Sequence, residues 1–211
     1  MAVPARIRMR TALVATVVST GLLVAAAISG RGQGVVQEAH AADAAPTRYS
    51  LDPAKSTFEY QFTQAGALNK GKFTRYTVTL DWSPDSLATS KLDVVVDMSS
   101  LDTGDKERDD TLKSADLFSV AKFPQSRFTS TQITKTANGY DAVGKLTIRG
   151  VSRDTHVPFS FKTADEQGKP AGYLLGKTTI KRLDFGVGQG DWKATDQVRS
   201  EEHTSELQSR P

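Results

Sequence analysis

The residue types most able to do chemistry are concentrated in the stretch "DTGDKERDD" at 102–110. Carboxylates grouped in this way could ligate calcium, because hard cations prefer oxygen ligands. A calcium loop spaces them as Asp-x-Asp-x-Asp-Gly, whereas Lys106 and Arg108 interrupt them here. The pattern therefore predicts helix capping and a solvated surface and no metal site. The acidic cluster consists of Asp102, Asp105, Asp109, Asp110 and Asp116.

Nucleophilic and histidine chemistry is restricted by the composition. The chain has no cysteine and three histidines, so a thiolate nucleophile, a disulfide and a cysteine zinc site are excluded. Only His156 lies in the body of the chain, and the sequence identifies no partner for it. No Gly-x-Ser-x-Gly elbow occurs, and the glycines of "DFGVGQGDW" at 184–192 open no helix that could cradle a phosphate. The sequence thus predicts no enzyme and no cofactor.

The N-terminus resembles a secretory signal peptide. Three arginines in the first ten residues precede an uncharged run at 11–29, and small residues flank a cleavage position after Ala41. We predict a signal peptide over 1–41 and a periplasmic mature protein without a stable membrane span. An uncleaved anchor is the alternative, because the run approaches the roughly 20 residues that span a bilayer. Without 1–41 the chain has 23 basic and 23 acidic residues, which does not support nucleic-acid binding.

From Tyr49 onward the sequence alternates apolar and polar residues with the period of a β-strand. The segment "YTVTLDW" at 76–82 places its large apolar residues on one face, and "LDVVVDM" at 92–98 does the same. Turn signals such as "SPDS" at 83–86 and "ANG" at 137–139 separate these segments. Full-length helices are not predicted between them, so we expect an antiparallel barrel or sandwich.

One short helix is predicted at about 105–114. Asp105 and Glu107 suit its positive N-terminal end, Lys113 suits its C-terminal end, and Pro124 prevents its continuation. A group of apolar residues follows the charged turns. The helix could therefore cover one end of a barrel or simply seal a core.

Four segments together resemble the YceI-like family of secreted bacterial polyisoprenoid-binding proteins, over roughly 49–198. Their order and spacing carry the resemblance, above all the charged helix followed by the "GKLTIRGV" run. Members often have a histidine at the position that Lys55 occupies in this chain. This difference weakens any role assigned to that histidine, whereas the predicted fold is unaffected. The segments are "YSLDPAKSTFEYQF", "GKFTRYTVTLDW", "SLDTGDKERDDTLKSADLFSVAKFPQSRFTSTQI" and "VGKLTIRGVSRDTHVPFSF".

The resemblance implies an all-β fold, an antiparallel eight-stranded lipocalin-like barrel over 46–198 with a short helical insertion near 105–119. It also implies an apolar channel for an isoprenoid lipid of the quinone-precursor or polyprenyl-phosphate type. The candidate head-group residues are Arg108, Arg149 and Arg182. The candidate lumen residues are Phe58, Tyr60, Phe62, Phe118, Phe123, Phe128, Leu146, Ile148, Phe159 and Phe161.

Two questions stay open at this point. The alternative function is an envelope stress or interaction protein with a closed, ligand-free barrel, since any lumen candidate could equally be plain core. The oligomeric state is also open, with a homodimer among the alternatives.

The tail "RSEEHTSELQSRP" at 199–211 departs from the alternation before it. Leu207 is its only large apolar residue, whereas a barrel needs an alternating final strand to pair with the first. The tail also resembles the translation of a widely used sequencing-adapter oligonucleotide. We therefore expect that 199–211 is an assembly artefact and that the closing strand is truncated after Val198.

Overall fold

The structure, a computed structural model, describes residues 5–16, 45–64, 67–166 and 169–189. Ten strands and one α-helix follow one another along this part of the chain. They are β1 (Ala5–Thr16), β2 (Thr47–Gln64), β3 (Ala67–Phe73), β4 (Tyr76–Trp82), β5 (Lys91–Asp97), β6 (Leu101–Asp102), α1 (Lys106–Lys113), β7 (Gln125–Thr136), β8 (Gly139–Ile148), β9 (Val151–Glu166) and β10 (Lys169–Ile180).

The strands form one antiparallel sheet that closes on itself. The ring runs β1-β10-β9-β8-β7-β5-β4-β2, and β2 pairs with β1. Strand β4 pairs with the first part of β2 and β3 pairs with its last part, so β3 and β4 share one position in the ring. The short strand β6 follows β5 in the chain and pairs with β3, so β5 and β6 also share one position. The sheet confirms the predicted all-β antiparallel barrel. The strand count differs slightly, because the ring reaches eight positions only with β1, which lies outside the predicted domain of 46–198.

The core lies inside this ring, where the period of the sequence places it. Val78, Leu80 and Trp82 of β4 are buried, while the residues between them are more exposed. Strand β5 repeats the pattern, with Leu92 fully buried. Because successive side chains of a strand point to opposite faces, one apolar set fills the interior and one polar set meets solvent.

The predicted helical insertion is confirmed. Helix α1 begins after Asp105, whose carboxylate accepts a hydrogen bond from the main-chain N–H of Arg108 at 3.1 Å. It ends at Lys113, and a series of turns over 114–122 leads to β7. Within the part of the chain that the structure describes, no helix is long and apolar enough to cross a membrane.

Strand β1 falls within the predicted signal peptide and lies between β10 and β2. This is the position in the ring that the predicted truncated closing strand would fill. Residues 17–41 and 199–211 lie outside the described residues. Cleavage after Ala41 and an artefactual tail therefore stay predictions.

Candidate functional site: an apolar cavity in the barrel

A cavity of about 110 Å³ lies inside the barrel, at the end where Phe118 of the segment after α1 contributes to its lining. Its position follows from its lining, because Ile148 and Ile180 are the last residues of β8 and β10 and Met98 directly follows β5. Six of the ten predicted lumen residues line it: Phe58, Tyr60, Phe118, Phe128, Leu146 and Ile148.

Away from the cavity, a cluster of aromatic rings packs inside the barrel. The Trp82 ring centroid lies 4.6 Å from that of Tyr140 and 5.1 Å from that of Phe161. Phe159 is 6.3 Å from Trp82 by the same measure, and Tyr49 closes the group at 5.1 Å from Phe161. Two predicted lumen residues, Phe159 and Phe161, therefore belong to a packed aromatic plug rather than to the cavity wall.

The remaining two predicted lumen residues also lie outside the cavity lining. Phe62 is half-buried and stacks on Tyr60, with ring centroids 5.9 Å apart. Phe123 covers the turn between β8 and β9: a β-carbon at Gly150 would lie only 2.6 Å from the Phe123 ring. The apolar group after α1 is thus divided, because Phe118 lines the cavity and Phe123 does not.

The turn that Phe123 covers carries the predicted head-group residue Arg149. Arg149 and Gly150 have positive φ angles of 50° and 74°, as a two-residue type I′ hairpin turn requires. The Arg149 guanidinium donates to the carbonyl oxygen of Ala115 at 2.8 Å and to that of Gly186. It therefore ties the segment after α1 to the segment after β10 across the end of the barrel.

The other two predicted head-group residues are placed differently from each other. Arg182 donates to the carbonyl oxygens of Val187 at 2.8 Å and Gly188 at 3.0 Å, so it braces the segment after β10. Arg108 lies on α1, with its guanidinium 3.6 Å from the carboxylate of Asp105. Their role as head-group ligands stays a prediction.

Tyr60 contributes its ring to the cavity lining, whereas its hydroxyl lies against Gly71 of β3. Any β-carbon at Gly71 would collide with the end of the ring, and the hydroxyl is buried without a hydrogen-bond partner. Burial raises the pKa of the Tyr60 hydroxyl, and the carboxylates of Asp109 and Asp102 raise it further, while Arg108 opposes them. Alternation alone assigns Tyr60 to the interior but does not indicate that its hydroxyl would be unpaired.

The acidic cluster serves the local structure around α1. The Asp109 carboxylate accepts from the main-chain N–H and the hydroxyl of Thr103, at 2.9 and 2.6 Å. Asp110 pairs with Lys106 at 2.5 Å on the exposed face. Within the described ranges, no group of three or more histidine, aspartate or glutamate side chains could hold a metal ion.

His156 has a partner that the sequence did not reveal. Its Nδ1 lies 2.7 Å from the carboxylate of Asp141 on the neighbouring strand β8. The imidazole is 67% exposed, so the pair lies on the outer face of the barrel and away from the cavity.

A second, larger depression of about 620 Å³ lies on the outside of the barrel wall, where β2 leaves β4 and pairs with β3. We call it the outer groove. Phe58 and Phe73 line both the groove and the cavity. Tyr76 lines the groove only, and its buried hydroxyl has no hydrogen-bond partner. Burial raises the pKa of Tyr76 to about 12.

The predicted lumen set omitted several residues that line the cavity. Val94, Val96 and Met98 share one face of β5 in the sequence pattern, so alternation carried a usable signal for them. Phe73 and Ile180, the last residues of β3 and β10, also belong to the inward-facing set of the alternation. These omitted apolar residues are Phe73, Val94, Val96, Met98, Val157 and Ile180.

Comparisons with known proteins agree with this fold. The chain is 29% identical to a UPF0312 protein of Vibrio vulnificus over 82% of this chain and 88% of that protein. It is 36% identical to a UPF0312 protein of Yersinia enterocolitica over 56% of this chain, and it spans only 62% of that relative's length. The crystal structure of Burkholderia cenocepacia BcnA superposes with a TM-score of 0.61 at 31% identity, covering 69% of this chain and 89% of BcnA.

The family model for the YceI-like domain matches residues 49–203, which is most of the chain. The match includes the helical insertion and the strands that line the cavity. The resemblance in the sequence is therefore confirmed, and the chain belongs to the YceI-like domain family.

Proposed function

We propose that this protein binds lipid and holds part of an isoprenoid chain in the cavity that Phe118 lines. The observation that carries the proposal is a partly open cavity whose accessible wall is almost wholly apolar, with Lys177 at its rim. Arg127, which also contributes to the lining, directs its guanidinium to the carboxylate of Asp93 at 3.0 Å. An isoprenoid tail has no charge or hydrogen-bonding group to satisfy, so apolar contact area can supply its affinity at about 25 cal/mol per Å².

The size of the cavity bounds how much of the chain it encloses. A dry engineered cavity of about 150 Å³ binds benzene. The cavity here has about 110 Å³, which suits about one five-carbon isoprene unit. A longer chain would extend beyond the cavity, and the outer groove of about 620 Å³ lies on the far side of Phe58 and Phe73.

The second candidate function is that of an interaction protein with a ligand-free barrel. The plug of Trp82, Tyr140, Phe159, Phe161 and Tyr49 favours it, because these rings pack against one another inside the barrel. Small barrels are often filled in this way. The two functions differ in whether the remaining cavity is occupied in the cell.

We also propose that the protein acts in the periplasm. The arginines and the uncharged run at 11–29 that precede Ala41 support this location. An isoprenoid carrier would there have access to the membranes that contain such lipids.

Native mass spectrometry of the protein, purified gently from its own cell envelope, tests the proposed function. A co-purifying isoprenoid mass supports lipid binding, and a ligand-free mass supports the second candidate. Two variants serve as a matched pair: Ile148→Lys places an ammonium in the cavity wall, whereas Leu175→Lys changes a side chain that is 48% exposed. We expect the lipid to be lost from Ile148→Lys and kept by Leu175→Lys.

A further inference from the structure

The pairing between β9 and β10 ends partway along the two strands. Their register stops at the pair Phe159↔Gly176. Among the strand pairings of the described residues, 151–158 of β9 pair only with β8, and 177–180 of β10 pair only with β1. Pro158 stands where the strands separate, and proline, which has no main-chain N–H to donate, occurs in sheets at edges and bulges. We call the stretch between 151–158 and 177–180 the seam.

The seam borders the cavity on both of its sides. Val157 of β9 lines the cavity, as do Lys177 and Thr178 of β10. Burial along the inward face of β9 changes at the same place, because Phe159 is 4% exposed whereas Val157 is half-buried and Arg153 is exposed. The barrel wall is therefore more accessible along the seam than beside the paired part of the same strands.

A side-chain hydroxyl bridges the seam where main-chain pairs are missing. The Thr178 hydroxyl donates to the main-chain carbonyl oxygen of His156 at 2.8 Å. The β9 side of this bridge is held by its ladder to β8 and by the contact of the His156 imidazole with the Asp141 carboxylate at 2.7 Å. Opening the seam thus means moving β10 away from β9 and breaking the Thr178 bond, which costs less than breaking a main-chain ladder.

The wall between the cavity and the outer groove is closed by packed aromatic rings instead. Phe58 and Phe73 lie there, with ring centroids 5.6 Å apart. Moving either ring would break an aromatic contact and expose apolar surface to water. In the unmodified protein the seam is therefore the easier place for the wall to open.

We propose that the ligand enters and leaves the barrel sideways through the seam, which the Thr178 hydroxyl holds closed. This inference rests on the proposed function, because it assigns an entrance to the same cavity. Thr178 is in this view a positioning residue, which acts on the ligand through the separation of β9 and β10.

A disulfide across the seam tests the inference on the full chain, which has no cysteine of its own. Val157 and Thr178 are each two residues beyond the last pair, so Val157→Cys with Thr178→Cys places one thiol on each side of the seam. The ligand is dansyl-labelled farnesol, a fluorescent linear isoprenoid, and stopped-flow transfer to phosphatidylcholine vesicles gives its dissociation rate. We expect oxidation to slow this transfer several-fold and reduction to restore it, because the disulfide keeps the strands together.

Lys162→Cys with Tyr173→Cys is the matched control. These two residues face each other in the paired part of the same two strands. A disulfide there should leave the transfer rate unchanged, since the main-chain ladder already holds the strands together. Slowing of equal size in both disulfide variants would indicate general stiffening of the barrel and would overturn the inference.

A second pair of variants covers the case in which the seam disulfide does not form. Thr178→Val replaces the hydroxyl by a methyl group and should speed transfer about five-fold. Thr147→Val is its control, because the Thr147 hydroxyl lies 2.7 Å from that of Ser152 between strands whose main chains are paired there. Transfer from Thr147→Val should match the wild-type rate. A wild-type rate in Thr178→Val as well would overturn the inference.

The outcomes separate this inference from the proposed function. If the wild-type protein binds no dansyl-labelled farnesol, the proposed function fails. If the probe binds but neither oxidation of the seam pair nor Thr178→Val changes its transfer rate, lipid binding stands and the inference fails.

Discussion

The ring centroid of Phe58 lies 5.6 Å from that of Phe73, and these two rings separate the internal cavity from the outer groove. Phe58 also contacts Tyr76 of the groove, with centroids 5.3 Å apart. The barrel wall is thus only one layer of side chains thick at the point where β2 leaves β4 for β3.

Thinning this layer should speed ligand exchange. We expect Phe58→Leu to raise the dissociation rate of a bound isoprenoid several-fold, because the smaller side chain joins the cavity to the groove. Phe161→Leu makes the same change within the plug and should lower stability without changing exchange. Both leucine substitutions should lower the free energy of unfolding by less than the roughly 3–5 kcal/mol that is typical of Phe→Ala. Stopped-flow exchange and thermal unfolding measure the two effects, and equal exchange rates would exclude passage at Phe58.

Lysine substitutions at Ile148 and Phe159 should have different consequences. Ile148 lines the cavity, so Ile148→Lys should lose the ligand while the barrel folds with reduced stability. Phe159 packs beside Trp82 and Tyr140 in the plug, where an ammonium has no space or partner. Phe159→Lys should therefore prevent folding, with a loss of several kcal/mol. Circular dichroism and ligand retention provide the readouts, and a folded Phe159→Lys protein without ligand would place Phe159 in the lumen.

Alanine substitutions at Phe118 and Phe123 should differ in their effects on ligand exchange and on stability. Phe118→Ala removes part of the cavity wall and should speed ligand exchange more than it lowers the melting temperature of the ligand-free protein. Phe123→Ala uncovers the turn at Gly150 and should lower that melting temperature with little effect on exchange. Identical behaviour of the two variants would contradict the division of the apolar group after α1.

The titration of Tyr76 should make the barrel sensitive to alkali. Its pKa is raised to about 12 in the folded state, whereas an unfolded tyrosine ionises near 10. Below pH 10 both states are protonated and the group has no effect. As the pH rises from 10 towards 12 the unfolded state releases its proton first, so stability falls. Tyr76→Phe should remove part of this fall, as measured by urea unfolding at pH 8 and pH 11. An unchanged pH dependence in the variant would show that Tyr76 ionises normally.

Removal of 1–41 should expose the strand edges that β1 covers. β1 pairs with β10 over Ala5–Val14 and with β2 on its other side. A chain that begins at residue 42 should show faster hydrogen exchange over 171–180 than the full chain, because those amides lose a neighbouring strand. Exchange over 125–136 in β7, which pairs with β5 and β8, is the internal control. Equal exchange over 171–180 in both chains would show that β1 does not protect β10.

The sequence by itself determined which face of each strand is buried and where the helical insertion lies. The two-residue period of "YTVTLDW" assigns Val78, Leu80 and Trp82 to one face without reference to any distant residue. The capping of α1 by Asp105 is equally local, because the carboxylate and the N–H that it accepts from are three residues apart. Such features depend on neighbours in the chain and can be predicted from it.

Only the tertiary structure decided how high each buried residue lies along the barrel axis. Ile148 and Phe159 both point inward, yet Ile148 lines the cavity and Phe159 belongs to the plug. Periodicity specifies the face of a strand but not the register between strands, and register is set by pairings across the barrel. The contact of Tyr60 with Gly71 and the reach of Arg149 to Ala115 depend on those pairings as well. The cavity and the buried Tyr60 hydroxyl arise from residues that are distant in the chain, which is why the sequence pattern alone could not place them.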